Sequence, residues 1–170
     1  MMVGLTGTPG TGKSSVAAEL ERRGHRVVHL VDTVQPYILE EDRARQTMVV
    51  DADRWVAEFE PVDGIIEGHL AHLLPCDLVV VLRCRPDVLR RRLELRGYPR
   101  AKIAENVEAE ALDVILIETL DEHPAEHVLE VDTTDLSIEE CAGLVERFIS
   151  GELPPSFGSI DWTDYLETGL

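Results

Sequence analysis

The sequence is short of several residue types, and each shortage excludes a class of protein. Only three cysteines occur, at positions 76, 84 and 141, and no two of them stand in a zinc-binding spacing such as C-x-x-C. We therefore expect reduced, mostly buried thiols and neither a zinc centre nor a disulfide framework. No apolar run is long enough to cross a bilayer, and no secretion signal precedes the first strand pattern. We expect a cytoplasmic protein without membrane contact.

Positive charge is also scarce over most of the chain. Sixteen lysines and arginines face 33 acids, which gives a net charge of −17 at pH 7 and argues against a general nucleic-acid-binding surface. Lysine occurs only at Lys13 and Lys102. Segment 83–102 is the exception, because it carries seven arginines and one lysine against two acids. This basic island in an acidic chain indicates a site for an anionic group, since a merely solvated helix alternates its charges more evenly.

The most specific pattern in the chain is Gly7–Ser14, which reads GTPGTGKS and fits the phosphate-binding loop G-x-x-x-x-G-K-[ST]. Its glycines let the backbone turn and bring N–H groups close to a phosphate. A strand pattern over 2–6 precedes the loop and a helix pattern over 14–23 follows it, which is the context that the motif requires. The following helix points its positive dipole end toward the same phosphates.

Side chains of the loop complete the predicted nucleotide site. We expect Lys13 to reach the β- and γ-phosphates of ATP and the Ser14 hydroxyl to bind Mg²⁺, with Ser15 as a weaker second candidate. Thr11 lies within the same loop and is counted among the ATP-binding residues. A glycine-rich turn with a chance lysine is the structural alternative, and the flanking strand and helix argue against it.

Strand and helix patterns alternate along the 170 residues, which predicts one α/β domain. The predicted strands cover 2–6, 26–30, 63–67, 77–82 and 127–131. The predicted helices cover 14–23, 51–59, 86–96, 101–120 and 138–149. We expect a P-loop fold in which a five-stranded parallel sheet is flanked by helices. Segment 35–46 is interpreted as helical or partly mobile, and Trp55 is assigned to the core. From Gly151 on, Pro154, Pro155 and Gly158 break the periodicity, and the ending 159–163 carries no secondary-structure pattern.

Two acids end predicted strands on either side of the first strand, where ligands bind in open α/β sheets. Asp32 and Glu67 are therefore candidates to hold Mg²⁺, Glu67 as a catalytic group as well. Asp32 has the alternative role of a helix cap, and Glu67 that of a structural acid. His69 is a candidate for contacting substrate or water, with a plain loop histidine as its alternative. His69 and His72 could also form a metal pair, although no third ligand is close.

The basic segment supplies further candidates. Arg92 and Arg96 are four residues apart on one predicted helix face and are therefore neighbours. A guanidinium both stacks on bases and binds phosphates, so one arginine could contact the base and the other the phosphates. The turn 97–100 is short for a lid but is placed like one. Arg100 and Lys102 are interpreted as surface groups.

Together these motifs resemble the adenylate kinase isoenzyme six family, the archaeal and eukaryotic adenylate-kinase-like ATPases of small-ribosomal-subunit maturation. The resemblance covers about residues 1–150 and rests on GTPGTGKS at 7–14, EGH at 67–69, VVLR at 80–83, LxxRGY at 93–98 and KIxENVxAE at 102–110. The arginine-glycine-tyrosine run and the motif after it are more specific than the phosphate loop. The short lid separates the chain from long-lid adenylate kinases.

The resemblance implies adenylate kinase activity, in which ATP and AMP give two ADP, together with Mg²⁺-dependent ATP hydrolysis. It implies a ribosomal protein of the small-subunit platform as partner, and an indirect relation to pre-ribosomal RNA. Position by position, it assigns ATP phosphates to Gly10, Gly12, Lys13, Ser14 and Ser15. It assigns adenine to Arg92, phosphates to Arg96, and the positioning of metal and water to Glu67 and His69.

The chain departs from the family pattern in the region expected to bind the monophosphate, about 32–62. Glu67 replaces an acid that is often aspartate. Residues 33–37 lack the arginine that would grip the AMP phosphate, so Arg43 or Arg45 is left as a substitute. This departure favours ATP hydrolysis over AMP phosphorylation. The alternatives are an ATP-switched assembly chaperone with little AMP kinase activity, or a P-loop kinase of another small metabolite. The lid is expected at about 96–102 and a separate tail at 151–170.

Overall fold

The computed structural model describes residues 1–44 and 46–167. The strands are β1 Met2–Gly7, β2 Val27–His29, β3 Ile38–Asp42, β4 Thr47–Val50, β5 Gly64–Glu67, β6 Leu78–Arg83 and β7 Val128–Asp132. The helices are α1 Lys13–Arg22, α2 Leu30–Thr33, α3 Ala52–Glu58, α4 Pro86–Leu95, α5 Arg100–Ala111, α6 Val114–Glu122, α7 Ile138–Ile149 and α8 Asp164–Glu167. Within the described ranges, no helix has the length and apolar character that a membrane span requires.

Five strands form a parallel sheet in the order β2-β5-β1-β6-β7, which confirms the predicted fold class. The first strand lies in the middle, where Gly4 pairs with Ile66 on one side and with Val79 on the other. The carboxyl ends of β1, β5 and β6 therefore meet at one edge of the sheet. In open parallel sheets this edge is where ligands bind.

Helices cover both faces of the sheet, so its strands are nearly continuous apolar runs. On β6, Val80 and Leu82 pack toward α1 and α7, while Val79 and Val81 pack on the opposite face toward α3 and α6. Trp55 of α3 is 1% exposed in this second layer, as predicted. A third, smaller cluster lies between α4 and α5. All three cysteines are free and buried, also as predicted.

The interpretation of 35–46 as helical or partly mobile holds for the single 3₁₀ turn Gln35–Tyr37 and is wrong for Ile38–Asp42, which forms one strand of an antiparallel hairpin. β3 pairs with β4 from Ile38 opposite Val50 to Asp42 opposite Thr47. The acids of β3 have low strand propensity and concealed the pattern, whereas β4 is rich in β-branched residues. Most of the hairpin is exposed, with Leu39 at 66%. Pairing between the two strands, rather than burial, therefore defines this element.

The predicted helix over 101–120 is two helices. α5 ends at Ala111, and Asp113 adopts a left-handed conformation with φ of 57° before α6 begins. Aspartate is one of the few non-glycine residues that occupy this region readily. The Asp113 carboxylate also accepts a hydrogen bond from the buried Arg83 guanidinium. A tertiary ion pair thus stabilises a break that helical periodicity could not reveal.

The tail, for which the sequence predicted no structure, lies along the outer edge of the sheet. Glu130 N–H donates to Ser156 O at 2.8 Å, and Ser156 N–H donates to Val128 O at 3.1 Å. Gly158 N–H donates to the Glu130 carboxylate at 2.6 Å. These bonds satisfy backbone groups of β7 that an open sheet edge leaves unpaired. The tail is therefore part of the fold and not an independent appendage.

Truncation after Leu153 tests this role. The truncation removes the three hydrogen bonds between the tail and β7, each worth about 1 kcal/mol. We therefore expect the free energy of unfolding to fall by about 2–4 kcal/mol. Urea unfolding of the full chain and the truncated chain measures the difference. A full-length Ser159→Ala variant, which changes an exposed tail residue, controls for local effects. Equal unfolding midpoints for all three proteins would contradict the assigned role.

Candidate active site

A cavity of about 680 Å³ opens at the carboxyl edge of the sheet. Its floor is the phosphate loop, and its walls come from α2, β4, the turn after β5, the start of α5 and α6. Among the described residues that line it, the lysine and arginine side chains are Lys13, Arg96 and Lys102. Glu67, Glu105 and Glu118 line the same cavity, so its three cations balance three carboxylates. In a chain with a net charge of −17, this cleft therefore repels an anionic ligand less than the rest of the surface does.

Close packing explains why the phosphate loop needs glycine. At Gly7, φ is 147° and an added Cβ would stand 2.5 Å from Leu82 O. At Gly10, φ is 94° and a Cβ would stand 2.7 Å from Leu89 Cδ1 of α4. Both positions lie in the region that only glycine occupies without strain. The loop is consequently held between β6 and α4, with its backbone turned toward the cavity.

Lys13 is buried at the centre of this loop. Its ammonium donates to Gly7 O at 2.7 Å and to Thr8 O at 3.0 Å. Burial lowers the pKa of Lys13 to about 8, and the charge of Arg96 acts in the same direction, while Glu67 and Glu110 oppose them. A phosphate beside the ammonium would favour its charged form. The position fits the predicted contact with transferring phosphate.

Ser14 and Glu67 come together at the start of α1. The Ser14 hydroxyl lies 3.5 Å from Glu67 Oε1, and Glu67 is 8% exposed. His29 Nδ1 lies 2.9 Å from Glu67 Oε2, and this hydrogen bond raises the pKa of His29. Hydroxyl and carboxylate oxygens are ligands that Mg²⁺ accepts, with water and phosphate oxygens completing its shell. The residues present therefore fit a magnesium ion.

Sequence reasoning missed His29. It is the last residue of β2 and pairs in register with Glu67 of the adjacent β5, so the sheet places the two side by side. The signal that could have found it was the order of the strands, which the sequence does not reveal. Through its hydrogen bond, His29 orients the Glu67 carboxylate in the way that outer partners orient metal ligands.

The structure does not bring Asp32 to the same place. α2 begins directly after His29, so Asp32 falls in the first turn of this helix and is exposed. Its neighbours Leu30, Val31 and Val34 line the cavity instead. Asp32 is not the helix cap of the alternative interpretation either, since His29 holds that position. Its role as a metal ligand stays a prediction.

His69 lines the cavity and is open to solvent on one side. The surrounding protein nevertheless desolvates its ring and lowers its pKa to about 4, with positive charges at Lys13 and Lys102 acting in the same direction. His69 is therefore neutral at physiological pH and suited to orient a substrate or water. The metal pair with His72 is wrong, because hydrogen bonds to Thr6 and Glu118 occupy both ring nitrogens of His72.

Arg92 and Arg96 occupy different places. Arg96 lines the cavity, as expected for a phosphate contact. Arg92 lies behind the phosphate loop, where its guanidinium donates to Gly10 O at 3.4 Å and to Thr133 O at 3.3 Å. Thr133 follows β7, so Arg92 joins this turn to the loop. The assignment of Arg92 to adenine stays a prediction.

Two residues predicted to bind ATP, Thr11 and Ser15, do not line the cavity. The Thr11 hydroxyl donates to Thr8 O at 2.8 Å, and Thr11 O accepts from the Thr133 hydroxyl at 2.7 Å. Thr11 thus stabilises the loop with its side chain. Ser15 is exposed on α1 and does not line the cavity, so the structure favours Ser14 over Ser15 as the metal-facing hydroxyl.

Lys102, interpreted from the sequence as a surface group rather than a catalyst, also lines the cavity. Lys102 is half-buried in the cavity wall, where its ammonium donates to Gln46 O at 2.9 Å and lies 4.4 Å from the Tyr98 ring centre. These contacts join the start of α5 to the tip of the hairpin, across the mouth of the cavity. The chain's two lysines, Lys13 and Lys102, are far apart in the sequence, yet both line the same cleft.

A buried ion-pair network supports the loop from below. The Thr8 hydroxyl donates to Glu110 Oε2 at 2.7 Å, and Arg83 Nε donates to Glu110 Oε1 at 2.7 Å. Arg83 is 1% exposed and also donates to Asp113 and Glu130. Burial opposes its charge, but the three carboxylates outweigh burial and raise the pKa of Arg83. The sequence hint was an arginine placed directly after the most apolar strand.

Thr8→Val tests the link between this network and the loop. The variant leaves the buried Glu110 Oε2 without its donor, so we expect unfolding free energy to fall by about 1–3 kcal/mol. ATP affinity should fall as well, since Thr8 belongs to the phosphate loop. Thr8→Ser retains the hydroxyl and is the matched control. Urea unfolding and calorimetric ATP titration measure both effects, and equal behaviour of the two variants would refute the link.

Comparison with known proteins shows the family to which the sequence is similar. The family described as AAA domain matches residues 3–113. A protein of Archaeoglobus fulgidus named "Putative adenylate kinase" is 46% identical over 171 residues, spanning 98% of this chain and 94% of its own length. A protein of Natronomonas pharaonis with the same name is 46% identical over 169 residues, spanning 98% of this chain and 100% of its own.

Solved structures show the same fold at low sequence identity. Deoxyadenosine kinase from M. mycoides with bound dATP superposes with a TM-score of 0.59 at 14% identity, over 88% of this chain and 99% of that one. Shikimate kinase from Bacteroides thetaiotaomicron superposes with a TM-score of 0.54 at 21% identity, over 90% of this chain and 99% of that one. At these identities the comparison supports the P-loop kinase fold alone.

Proposed function

The chain belongs to the adenylate-kinase-like family of P-loop proteins, and we propose that it is an adenylate kinase that transfers a phosphoryl group from ATP to AMP. One observation carries the proposal. A single cavity runs from the phosphate loop to a wall built by α2 and β4, so a donor at the loop faces an acceptor held by that wall. Phosphoryl transfer requires such positioning and little covalent chemistry from the protein.

The cavity residues divide the work of transfer. Lys13 neutralises charge that develops on the transferring group, and backbone N–H groups of the loop hold the adjacent phosphates. Ser14 and Glu67 would hold Mg²⁺, with Glu67 oriented by His29. Bound there, Mg²⁺ would supply charge neutralisation for the phosphates. Neutral His69 orients the attacking oxygen without adding repulsive or attractive charge of its own.

The acceptor phosphate needs its own cations. Arg43 is exposed and pairs with Glu41 at 4.0 Å, and Arg45 lies outside the described residues. Arg96 and Lys102, by contrast, line the cavity beyond the loop. We assign the AMP phosphate to these two side chains. They replace the arginine that residues 33–37 lack.

The same site supports ATP hydrolysis when water takes the place of AMP. In this role Glu67 and His69 orient the water. We further propose that the protein acts in maturation of the small ribosomal subunit, through a ribosomal protein and only indirectly on pre-ribosomal RNA. The net charge of −17 favours encounter with a basic protein of this kind. The ATP-switched assembly chaperone with little kinase activity is the second candidate, favoured by the absence of an arginine at 33–37.

The deciding experiment counts ADP released from ATP and Mg²⁺ with and without AMP. We expect AMP to be consumed and to raise ADP formation sharply, because the acceptor fills the second half of the cavity. Lys13→Ala, which removes the ammonium from the loop, is the inactive control. If ADP forms at one slow rate with or without AMP, the kinase proposal fails and the ATP-switched chaperone gains support.

Glu67→Gln separates nucleotide binding from turnover. The variant is nearly isosteric but loses the carboxylate that faces Ser14, so we expect hydrolysis to fall at least about tenfold. The affinity for ATP, measured by calorimetry, should change little. Glu126→Gln makes the same chemical change at an exposed acid away from the cavity. Undiminished hydrolysis by Glu67→Gln at saturating Mg²⁺ would remove Glu67 from the mechanism.

A further inference from the structure

One acid of the cavity has a role that phosphate binding does not explain. Glu118 of α6 lines the cavity and is 48% exposed. Its Oε2 lies 2.7 Å from Nε2 of His72, a side chain with no exposed surface. The other ring nitrogen, Nδ1, lies 2.9 Å from the Thr6 hydroxyl of β1. A fully buried histidine therefore fixes one carboxylate oxygen of a half-exposed glutamate in the wall of the cleft.

The chemistry of these groups determines the direction of each hydrogen bond. An ionised carboxylate only accepts, so His72 donates from Nε2 to Glu118. Burial lowers the pKa of His72, so the ring is neutral and its Nδ1 accepts from the Thr6 hydroxyl. Both ring nitrogens of His72 are therefore engaged, Nε2 as a donor and Nδ1 as an acceptor. Among the described residues, none donates a hydrogen bond to Oε1 of Glu118. As a carboxylate oxygen, Oε1 can only accept such a bond.

The negative charge of Glu118 disfavours an anionic ligand at this point. Val114 and Ile115 precede Glu118 by one helical turn and line the same cavity, so this wall is largely apolar. The lysine and arginine side chains of the cavity come instead from the phosphate loop, the end of α4 and the start of α5. Phosphates belong with those cations, and the uncharged part of a nucleotide belongs with this wall. An acceptor there must carry a hydrogen-bond donor.

We propose that Glu118, held by His72, accepts a hydrogen bond from a hydroxyl or amino group on the nucleoside of the phosphate acceptor. Glu118 is then a specificity-determining residue, and His72 positions it. The inference rests on the proposed function, because it places the acceptor nucleotide in this cavity. A metal is not the occupant we assign, because the residues of α6 that line the cavity beside Glu118 are Val114 and Ile115, which supply no second side-chain ligand.

Two substitutions test the proposal. Glu118→Ala removes the acceptor, and we expect the KM for AMP to rise about tenfold with kcat within about threefold, as for a lost hydrogen bond to a charged group. Glu118→Gln turns its amide oxygen to the His72 donor and presents its NH₂ to the substrate. We therefore expect Gln to retain stability yet raise the KM for AMP as Ala does. Asp121→Asn, an exposed change on the same helix, is the control.

Acceptor analogues identify the donor group. 2′-Deoxy-AMP and 3′-deoxy-AMP each lack one ribose hydroxyl, and purine riboside monophosphate lacks the amino group. The wild-type protein should discriminate against one of the three, and Glu118→Ala should lose that discrimination. The proposal is overturned if Glu118→Ala still discriminates among the three analogues as the wild-type protein does. It is also overturned if the KM of Glu118→Ala for AMP equals that of Asp121→Asn. A Glu118→Gln variant with wild-type KM overturns it as well, because a merely structural role tolerates the amide.

Calorimetric titration with AMP distinguishes this inference from the proposed function. If the wild-type protein binds AMP through Glu118 but turns over none, the kinase proposal fails and the role of Glu118 stands. If it converts AMP normally and Glu118→Ala binds AMP equally well, the kinase proposal stands and the role of Glu118 fails. Absence of AMP binding by the wild-type protein overturns both. The KM for ATP, expected unchanged in every variant, and the unfolding midpoints of Glu118→Gln and Asp121→Asn, expected unchanged as well, exclude a general loss of fold. Glu118→Ala alone should unfold earlier, because it leaves the buried Nε2–H of His72 without its acceptor.

Discussion

The buried guanidinium of Arg83 is the interaction on which the nucleotide site depends. An isolated buried charge costs several kcal/mol, so the fold keeps this one only by surrounding it with Glu110, Asp113 and Glu130. Each carboxylate then fixes another element. Glu110 receives the Thr8 hydroxyl of the phosphate loop, Asp113 marks the break between α5 and α6, and Glu130 receives the tail at Gly158. The phosphate loop, the break between α5 and α6, and the tail thus share one electrostatic anchor.

The few positive charges of the chain are also placed where they serve the nucleotide site. A chain with a net charge of −17 repels anions over most of its surface, yet both of its lysines line the cleft. Lys13 is held by backbone carbonyls and Lys102 by Gln46 O and the Tyr98 ring. Excess acid elsewhere leaves the cleft as the favoured place for a phosphate. Acidity and nucleotide binding are therefore compatible, because they occupy different parts of the surface.

Local sequence patterns predicted the fold and the phosphate loop. The other contacts that build the site depend on residues far apart in the sequence. The phosphate loop, the five parallel strands and the burial of Trp55 follow from spacing and periodicity, which are local. The partnership of His29 with Glu67 depends on strand order, and the break at Asp113 depends on an ion pair with Arg83 thirty positions away. Lys102 looked like a surface residue because its partner, the hairpin tip, was concealed by the acids of β3.

The choice between kinase and ATPase chemistry lies in the acceptor half of the cavity rather than at the phosphate loop. In the proposed mechanism, Lys13, Ser14 and Glu67 would serve transfer to AMP and to water alike, so they would not discriminate between acceptors. To favour AMP over water, the site must make contacts with AMP that water cannot make. It must also exclude water from the cavity while those contacts form. The bond from Lys102 to Gln46 joins the two sides of the cleft, and Glu118 offers an acceptor to a nucleoside. A nucleotide that satisfied both would displace water from the line of attack, and its absence would leave that line open to hydrolysis.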